Sequence, residues 1–277
     1  MSSGQFAGGT AVITGGGSGL GKAMADRFVA EGMAVVLLDI DGEQVERAAA
    51  DIVGNGGQAV AYRADVSDRD TLLNIAEDVE AQFGGCSILC ANVGVQQFGA
   101  IGKLTEQDWR WVLDVNVMGV INTVDAFLPL VRKTDAPRHI VITSSSAAYS
   151  PGIRMGAYTT SKYAVTGYGE TLRMELADEG IGVSILFPAG MMTTHLQSSI
   201  KARPADIGPL EINHEDIEAM MASRKAEGAS AVATAEHATR HLLDELSKDS
   251  RYIITHGDSH EAIEDNFNAL TAANEGG

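Results

Sequence analysis

The chain has few cysteines, and their spacing excludes two common structural roles. Cys86 and Cys90 are the only cysteines among the 277 residues, and both lie in a segment with the apolar pattern of a β-strand. At a rise of about 3.3 Å per residue their Cα atoms would lie roughly 13 Å apart, beyond the ~7 Å limit for a disulfide. We expect two free, buried thiols, and two thiols without a neighbouring histidine pair make a poor zinc site.

Positive charge is also scarce. Lysine and arginine total 20 against 37 aspartates and glutamates, which gives a formal net charge of −17. A field of this sign repels the phosphates of nucleic acids and anionic membrane surfaces. We therefore expect neither a nucleic acid nor a membrane as a partner.

Long apolar runs are missing from the sequence as well. No run approaches the ~20 residues that span a bilayer, and the first residues lack the basic and apolar segments of a secretory signal. We expect a cytoplasmic protein. The length suits one large α/β domain, and we predict a single domain over residues 1–277.

What the sequence does have is a regular alternation of short apolar segments and amphipathic segments. Strands are predicted at residues 10–14, 33–39, 58–65, 86–91, 138–145, 182–188 and 251–255. Helices are predicted from residue 18 to about 31, near 43–53 and 69–83, at about 106–132 and 156–179, and near 234–247 and 259–273. This alternation predicts a doubly wound, mostly parallel sheet with helices on both faces.

Two segments depart from the alternation. Residues 189–230 contain no long apolar strand, and an excursion of this length is usually functional, so we interpret it as a lid. Residues 259–277 are predicted to form a C-terminal helix and tail.

A glycine-rich turn follows the first strand. Residues 14–21, TGGGSGLG, do not match G-x-G-x-x-G but fit T-G-x-x-x-G-x-G, with a strand before and a helix after. The N-terminus of that helix would direct free N–H groups and a positive dipole at a ligand, which suits a diphosphate. The alternative is a merely flexible turn, which the flanking strand and helix disfavour.

Asp39 ends the second strand, 20 residues beyond Gly19. An acidic side chain there can accept hydrogen bonds from an adenosine ribose and would repel a 2′-phosphate. Residues 16–18 and 40–41 offer no arginine or lysine for that phosphate, so we predict NAD rather than NADP. The alternative role for Asp39 is a helix cap.

Tyr158 and Lys162 are four residues apart in a predicted helix and so share one face. A free tyrosine has a pKa of about 10, and a nearby cation favours its phenolate. By itself, such a pair is more typical of a solvated helix surface.

Taken in order along residues 8–195, these motifs resemble the short-chain dehydrogenase/reductase family. Residues 14–21 are similar to its nucleotide turn and Asp65-Val66 to its adenine contact. Asn92 and Gly94 resemble part of its N-N-A-G motif. Asn116 resembles its helix asparagine, and Ser145 stands 13 residues before Tyr158, as the family's serine does. The resemblance implies a Rossmann-like fold.

The resemblance also implies roles for four residues in catalysis. Tyr158 would exchange a proton with the substrate oxygen while hydride moves to or from a nicotinamide. Lys162 would favour the phenolate and hold the nicotinamide ribose. Ser145 would bind the substrate oxygen, and Asn116 would hold a water molecule that links Lys162 to solvent.

Together, the turn and the resemblance predict a set of cofactor contacts. These are Thr14, Gly15, Gly17, Ser18, Gly19, Leu20, Gly21, Asp39, Ile40, Asp65, Val66, Asn92, Gly94, Tyr158, Lys162, Pro188, Met191 and Thr193.

Three features depart from the family pattern. Residues 91–94 are ANVG, with one amide missing and a bulkier valine, although we expect cofactor binding to survive. Residues 188–193 are PAGMMT, which keeps Thr193 in step for the carboxamide but replaces the first glycine. The C-terminal sequence differs from the family's Gly-rich ending, so we expect a homo-oligomer but leave dimer and tetramer open.

The predicted substrate wall is mostly apolar. Its proposed members are Gln96, Phe98, Ala147, Ile153, Met192 and Leu196, with Gln97, Ser146, Ala189 and Met191 nearby. This set favours a hydrophobic secondary alcohol or ketone, unless the methionines only pack the lid. Arg154 is predicted to be a solvated lone charge.

The histidines are weaker candidates for functional residues. His237 and His241 have the i, i+4 spacing of a zinc pair but lack the usual glutamate, so we predict no metal. His195 could reach substrate, although a polar loop residue is the simpler interpretation.

Several functions remain open. The leading one is an NAD-dependent alcohol dehydrogenase or carbonyl reductase. The alternatives are a non-catalytic nucleotide-binding regulator, an NADP-dependent carbonyl reductase and, less favoured, an epimerase or dehydratase.

Overall fold

Seven parallel strands form the centre of the fold. The computed structural model describes residues 4–135, 137–192, 194–209, 214–226 and 232–275. The strands are β1 Thr10–Thr14, β2 Ala34–Asp39, β3 Gln58–Arg63, β4 Ile88–Ala91, β5 Arg138–Thr143, β6 Ile181–Phe187 and β7 Tyr252–Ile254. Their order across the sheet is β3-β2-β1-β4-β5-β6-β7. This confirms the predicted doubly wound sheet in a single domain.

Helices cover both faces of the sheet. They are α1 Gly19–Ala30, α2 Gly42–Gly54, α3 Arg69–Phe83, α4 Glu106–Leu113, α5 Gly119–Lys133, α6 Gly156–Leu176, α7 His195–Ala202, α8 His214–Ala226, α9 Ala235–Ala238, α10 Leu242–Ser247 and α11 His260–Glu275. Successive strand residues face opposite sides. Val12 therefore packs in one core with α3, α5 and α6, whereas Ile13 packs in the other with α1, α2 and α10.

The predicted helix over residues 106–132 is continuous to Lys133 but contains a wider π-helical turn at Asp114–Met118. Its start is fixed by a capping box between Thr105 and Asp108. By length and composition this helix could cross a membrane, yet 56% of its most apolar window is buried in the protein. It packs against α3 and the sheet, as a core helix does.

The structure differs from the predicted elements in several places. The helix predicted over 234–247 is divided by a turn into α9 and α10. Cys86 precedes β4, although both cysteines are buried and free as predicted. Strand β5 ends at Thr143, so Ser145 lies beyond it. The lid segment contains α7 and α8, which sequence periodicity did not predict.

The strand order reverses between β1 and β4, which start crossovers in opposite directions. In open parallel sheets, ligands bind beyond the carboxyl ends of the strands at this point. The glycine turn after β1 and the loops after β4 and β5 all meet there.

Candidate active site

The glycine turn brings backbone close to the crevice. Gly15 has a φ of +67°, a left-handed conformation that favours glycine. A Cβ on Gly21 would lie 2.1 Å from the carbonyl oxygen of Gly15, so α1 can approach β1 this closely only with glycine at this position. The N-terminus of α1 is thus free to face a diphosphate.

Thr14 and Asn92 join the three central strands behind this turn. The Thr14 hydroxyl donates to the Cys90 carbonyl at 3.3 Å and accepts from the Asn92 N–H at 3.0 Å. The Asn92 amide donates to the Thr14 carbonyl at 3.1 Å and accepts from the Thr143 hydroxyl at 3.1 Å. Both side chains act here as structural ties between strands.

Asp39 has its carboxylate at the edge of the crevice. Its Oδ2 accepts from the Gly17 N–H at 3.1 Å, and its Oδ1 accepts from the Asp41 N–H at 3.1 Å. Burial raises the pKa of Asp39, while these N–H groups act in the opposite direction. The cap of α2 is Asp41, which accepts from Gln44, so the alternative role for Asp39 as that cap is wrong.

Two cations contact the residues that follow Asp39. Lys201 of α7 has its Nζ 2.5 Å from Oδ2 of Asp41 and lowers the pKa of that carboxyl. Arg63, paired in register with Asp39, donates from Nε to the Ile40 carbonyl at 3.4 Å. The local sequence around Asp39 offers no cation, but the fold supplies two from distant segments.

The catalytic candidates on α6 are buried. Lys162 donates from Nζ to the Thr143 carbonyl at 3.0 Å, and Nζ lies 5.6 Å from the centroid of the Tyr158 ring. Burial lowers the pKa of Lys162 to about 8, so it is mostly charged at pH 7. Ser145 caps a short turn, where its Oγ accepts from the Ala147 N–H at 3.2 Å. The interpretation of Tyr158 and Lys162 as a solvated pair is therefore wrong.

Asn116 supports these residues from behind. Its Oδ1 accepts from the Val95 N–H at 2.7 Å, and its Nδ2 donates to the Val95 carbonyl at 3.0 Å and to Ser161 Oγ at 2.9 Å. Ser161 in turn donates to the Tyr158 carbonyl at 2.6 Å. Asn116 thus ties the loop after β4 to α6, and its proposed water contact stays a prediction.

A single cavity of about 690 Å³ connects the glycine turn to the residues around Tyr158. Of the predicted site residues, it is lined by Gly15, Ser18, Gly19, Leu20, Gly21, Asp39, Ile40, Asp65, Val66, Asn92, Gly94, Gln96, Phe98, Ser145, Tyr158, Lys162, Pro188, Met191 and Leu196. The glycine turn, the α1 N-terminus and Asp39 fit a dinucleotide in this space.

Other predicted residues do not line the cavity. Thr14, Gly17, Asn116 and Ala147 belong to the supporting structure around it. Ile153 and Met192 are 54% and 67% exposed and are absent from the cavity wall, because one lies in a surface turn and the other in the loop before α7. Thr193 lies outside the described residues.

The far end of the cavity contains residues that sequence reasoning missed. Met155 and Met220 line it. Together with Leu196 they join a cluster of Phe98, Ala147 and Tyr158. Met220 belongs to α8, and no local motif marks it as part of a site.

His195 is a partly buried residue at the start of α7. Its Nε2 lies 2.8 Å from the Gly94 carbonyl, so this nitrogen carries the hydrogen, and its ring meets the Tyr158 ring edge-on at 6.4 Å. Burial lowers the pKa of His195 to about 4, which keeps the ring neutral at neutral pH. The simpler interpretation as a polar loop residue is wrong.

Arg154 is paired with the lid. Its Nε lies 2.9 Å from Oδ1 of Asp216 on α8, which corrects the prediction of a solvated lone charge. Within the described ranges, no group of three or more His, Cys, Asp and Glu side chains could hold a metal ion.

Comparison with known proteins agrees with this geometry. The short chain dehydrogenase family model matches residues 9–204. A "C alpha-dehydrogenase" from Sphingobium sp. is 34% identical over 94% of this chain and 84% of its own length. A "1-deoxy-11-beta-hydroxypentalenate dehydrogenase" from Streptomyces exfoliatus is 32% identical over 75% of this chain and 76% of its own.

A solved structure is also similar over nearly the whole length. A short-chain dehydrogenase/reductase from Burkholderia phymatum in complex with NAD has a TM-score of 0.87 and 30% identity, and the match covers 97% of this chain and 96% of that one. The chain therefore belongs to the short-chain dehydrogenase/reductase family of oxidoreductases.

Proposed function

We propose that the protein is an NAD-dependent oxidoreductase that interconverts a hydrophobic secondary alcohol and its ketone, with Tyr158 as general acid and base. The observation that carries this proposal is that Ser145, Tyr158 and Lys162 share one cavity with the glycine turn and Asp39. Nucleotide binding and proton transfer can therefore occur side by side.

Tyr158, Lys162 and Ser145 would each have a separate role in the reaction. A bound nicotinamide supplies the hydride acceptor or donor. In oxidation, the Tyr158 phenolate takes the hydroxyl proton as the carbon–hydrogen bond breaks and the carbonyl forms. Lys162 stabilises the phenolate by its charge, and the Ser145 hydroxyl donates to the substrate oxygen, where negative charge develops.

Asp39 supports NAD as the cofactor. Two backbone N–H groups hold its carboxylate at the cavity edge, where it would bind ribose hydroxyls and repel a 2′-phosphate. Lys201 and Arg63 are engaged with Asp41 and Ile40, and neither lines the cavity. The similar Burkholderia phymatum structure contains NAD.

The wall around Tyr158 supports a hydrophobic substrate. Phe98, Met155, Leu196 and Met220 surround the phenol and carry no charge. The name of the Streptomyces exfoliatus relative, a hydroxypentalenate dehydrogenase, is consistent with oxidation of a hydroxyl group.

We also propose a cytoplasmic homo-oligomer. Ile263, Phe267 and Leu270 lie on one face of α11 and are 39%, 67% and 73% exposed, an apolar stripe that association would cover. Light scattering of the purified protein would test this, and a monomer at micromolar concentration would contradict it.

Assays of NAD and NADP reduction against a panel of secondary alcohols would test the main proposal. We expect turnover with NAD and little with NADP. A clear preference for NADP would contradict the argument from Asp39. Normal NAD binding without turnover of any alcohol would favour the regulatory alternative.

A further inference from the structure

Helix α8 contributes Met220 to the wall of the cavity, and we infer that Met220 is the residue that limits substrate size. This inference rests on the proposed function, because it concerns the substrate end of the same cavity.

Met220 is in the right position for this role. It lines the cavity and packs against the cluster formed by Phe98, Ala147, Met155 and Tyr158. A substrate whose oxygen meets Tyr158 would extend its carbon frame toward this cluster. Methionine is unbranched and adaptable, so it fills the end of an irregular pocket and sets its length.

An ion pair fixes α8 over the cavity. Asp216 and Met220 are four residues apart and share a face of α8. Arg154 Nε lies 2.9 Å from Asp216 Oδ1, and Asp216 is only 9% exposed. Holding Asp216 therefore holds Met220 one helical turn away.

The backbone of Arg154 is itself constrained. Its φ is +67°, which is uncommon for a residue other than glycine. Its carbonyl accepts from the Gly99 N–H at 2.9 Å, and Gly99 follows Phe98 of the cavity wall. The Arg154 loop thus links two sides of the substrate end, the Phe98 loop and α8.

The Arg154–Asp216 contact depends mainly on charge. Although Arg154 Nε is close to Asp216, it has no hydrogen bond of acceptable geometry. Replacing the carboxylate by an amide therefore removes most of the attraction while keeping the side-chain shape. Asp216→Asn is the substitution that isolates this effect.

The experiment compares kcat/KM for a bulky and a small substrate. Diphenylmethanol and 2-butanol serve as probes with NAD as cofactor. One methylene more or less in a hydrophobic pocket changes discrimination by roughly 10–200-fold. We expect Met220→Ala to raise the ratio of kcat/KM for diphenylmethanol to kcat/KM for 2-butanol by about 10-fold. The KM for NAD should be unchanged within about 2-fold.

Matched variants separate this role from general destabilisation. Glu218→Gln removes a charge from an exposed site on the same helix, and Met174→Ala shortens a methionine that is 71% exposed. We expect neither to change the ratio. Asp216→Asn and Arg154→Gln should each raise the ratio of kcat/KM for the bulky substrate to that for the small one by about 3-fold. The double variant should raise this ratio no further.

The outcomes are distinguishable. If the parent oxidises the alcohols and Met220→Ala has the same ratio as the parent, this inference is overturned and the proposed function stands. If the parent oxidises no alcohol, both fail. Should Met220→Ala unfold, Met220→Val also shortens the side chain, and a ratio equal to that of the parent with a normal melting temperature again overturns the inference.

Discussion

The Lys162 ammonium lies 5.6 Å from the centre of the Tyr158 ring and donates to the carbonyl of Thr143 at the end of β5. This arrangement holds a buried cation near the phenol. A helix and a strand end are both needed to produce it, because α6 supplies the spacing and β5 supplies the hydrogen-bond acceptor.

Tyr158→Phe should reduce the rate of alcohol oxidation by about 10²–10⁴-fold, the range expected when a general base is lost. Binding of NADH, measured by fluorescence, should be nearly unchanged. Tyr163→Phe is the matched control, since Tyr163 lies on the same helix and is 47% exposed. Oxidation by Tyr158→Phe at the parent rate would show that another group takes the proton.

Asp39→Ala should shift cofactor preference from NAD toward NADP. The carboxylate that would bind the ribose and repel the 2′-phosphate is lost. We expect NAD binding to weaken by about 10-fold or more, the value of one to two charge-assisted hydrogen bonds.

Titration calorimetry with both cofactors would measure this shift. Asp51→Ala, at an exposed position on α2, is the control and should behave as the parent. Unchanged preference in Asp39→Ala would contradict the assignment of Asp39 as the discriminating residue.

Gly21→Ala should weaken cofactor binding and stability together. The new Cβ would lie 2.1 Å from the Gly15 carbonyl oxygen, so the turn or α1 must move. Overpacking of this kind costs about 1–3 kcal/mol, which urea unfolding can measure.

Gly54→Ala is the control for that experiment, because a Cβ on Gly54 meets nothing within 4 Å. We expect it to be neutral or to stabilise by up to about 1 kcal/mol. Equal stability of the two variants would argue against the close packing of α1 on the turn.

The stability of the protein should fall as the pH drops from about 6.5 to 4. Burial lowers the pKa of His139 to about 4, so between these values the unfolded chain binds a proton that the folded protein does not. Stability is therefore complete above the unfolded pKa and decreases toward the folded one, by roughly 3 kcal/mol for this group.

A hydrogen bond fixes the tautomer of the neutral His139 ring. Ser184 donates its hydroxyl to the Ser250 carbonyl at 2.5 Å, so it accepts from His139 Nε2 at 2.8 Å. Urea unfolding of His139→Asn at pH 7 and pH 5 should show a smaller pH dependence than that of the parent. An identical dependence would mean that other groups, such as His195, account for the loss.

Local patterns in the sequence were sufficient for much of the fold and part of the site. Apolar strands, the glycine turn and the spacing of Tyr158 and Lys162 act over a few residues, and the structure agrees with each. Asp39 was also predictable, because a strand end after a glycine turn has a fixed position in this kind of sheet.

Element boundaries were less predictable, for a physical reason. The π-helical turn at Asp114–Met118 and the break between α9 and α10 depend on how these segments pack, and their composition does not mark them. Helix α7 is only eight residues long, and helix α8 has little sequence periodicity of its own. Both are held by contacts with the rest of the protein.

Only the tertiary structure brought the lid into the site. Lys201 forms an ion pair with Asp41, which is 160 positions away in the sequence. Arg154, which the sequence analysis predicted to be a solvated lone charge, forms an ion pair with Asp216. Electrostatic attraction and burial act between residues that are distant in sequence, so the partner of a side chain depends on the tertiary fold. The sequence by itself determined the sheet, the glycine turn and the spacing of Tyr158 and Lys162, whereas packing decided which residues enclose the far end of the cavity.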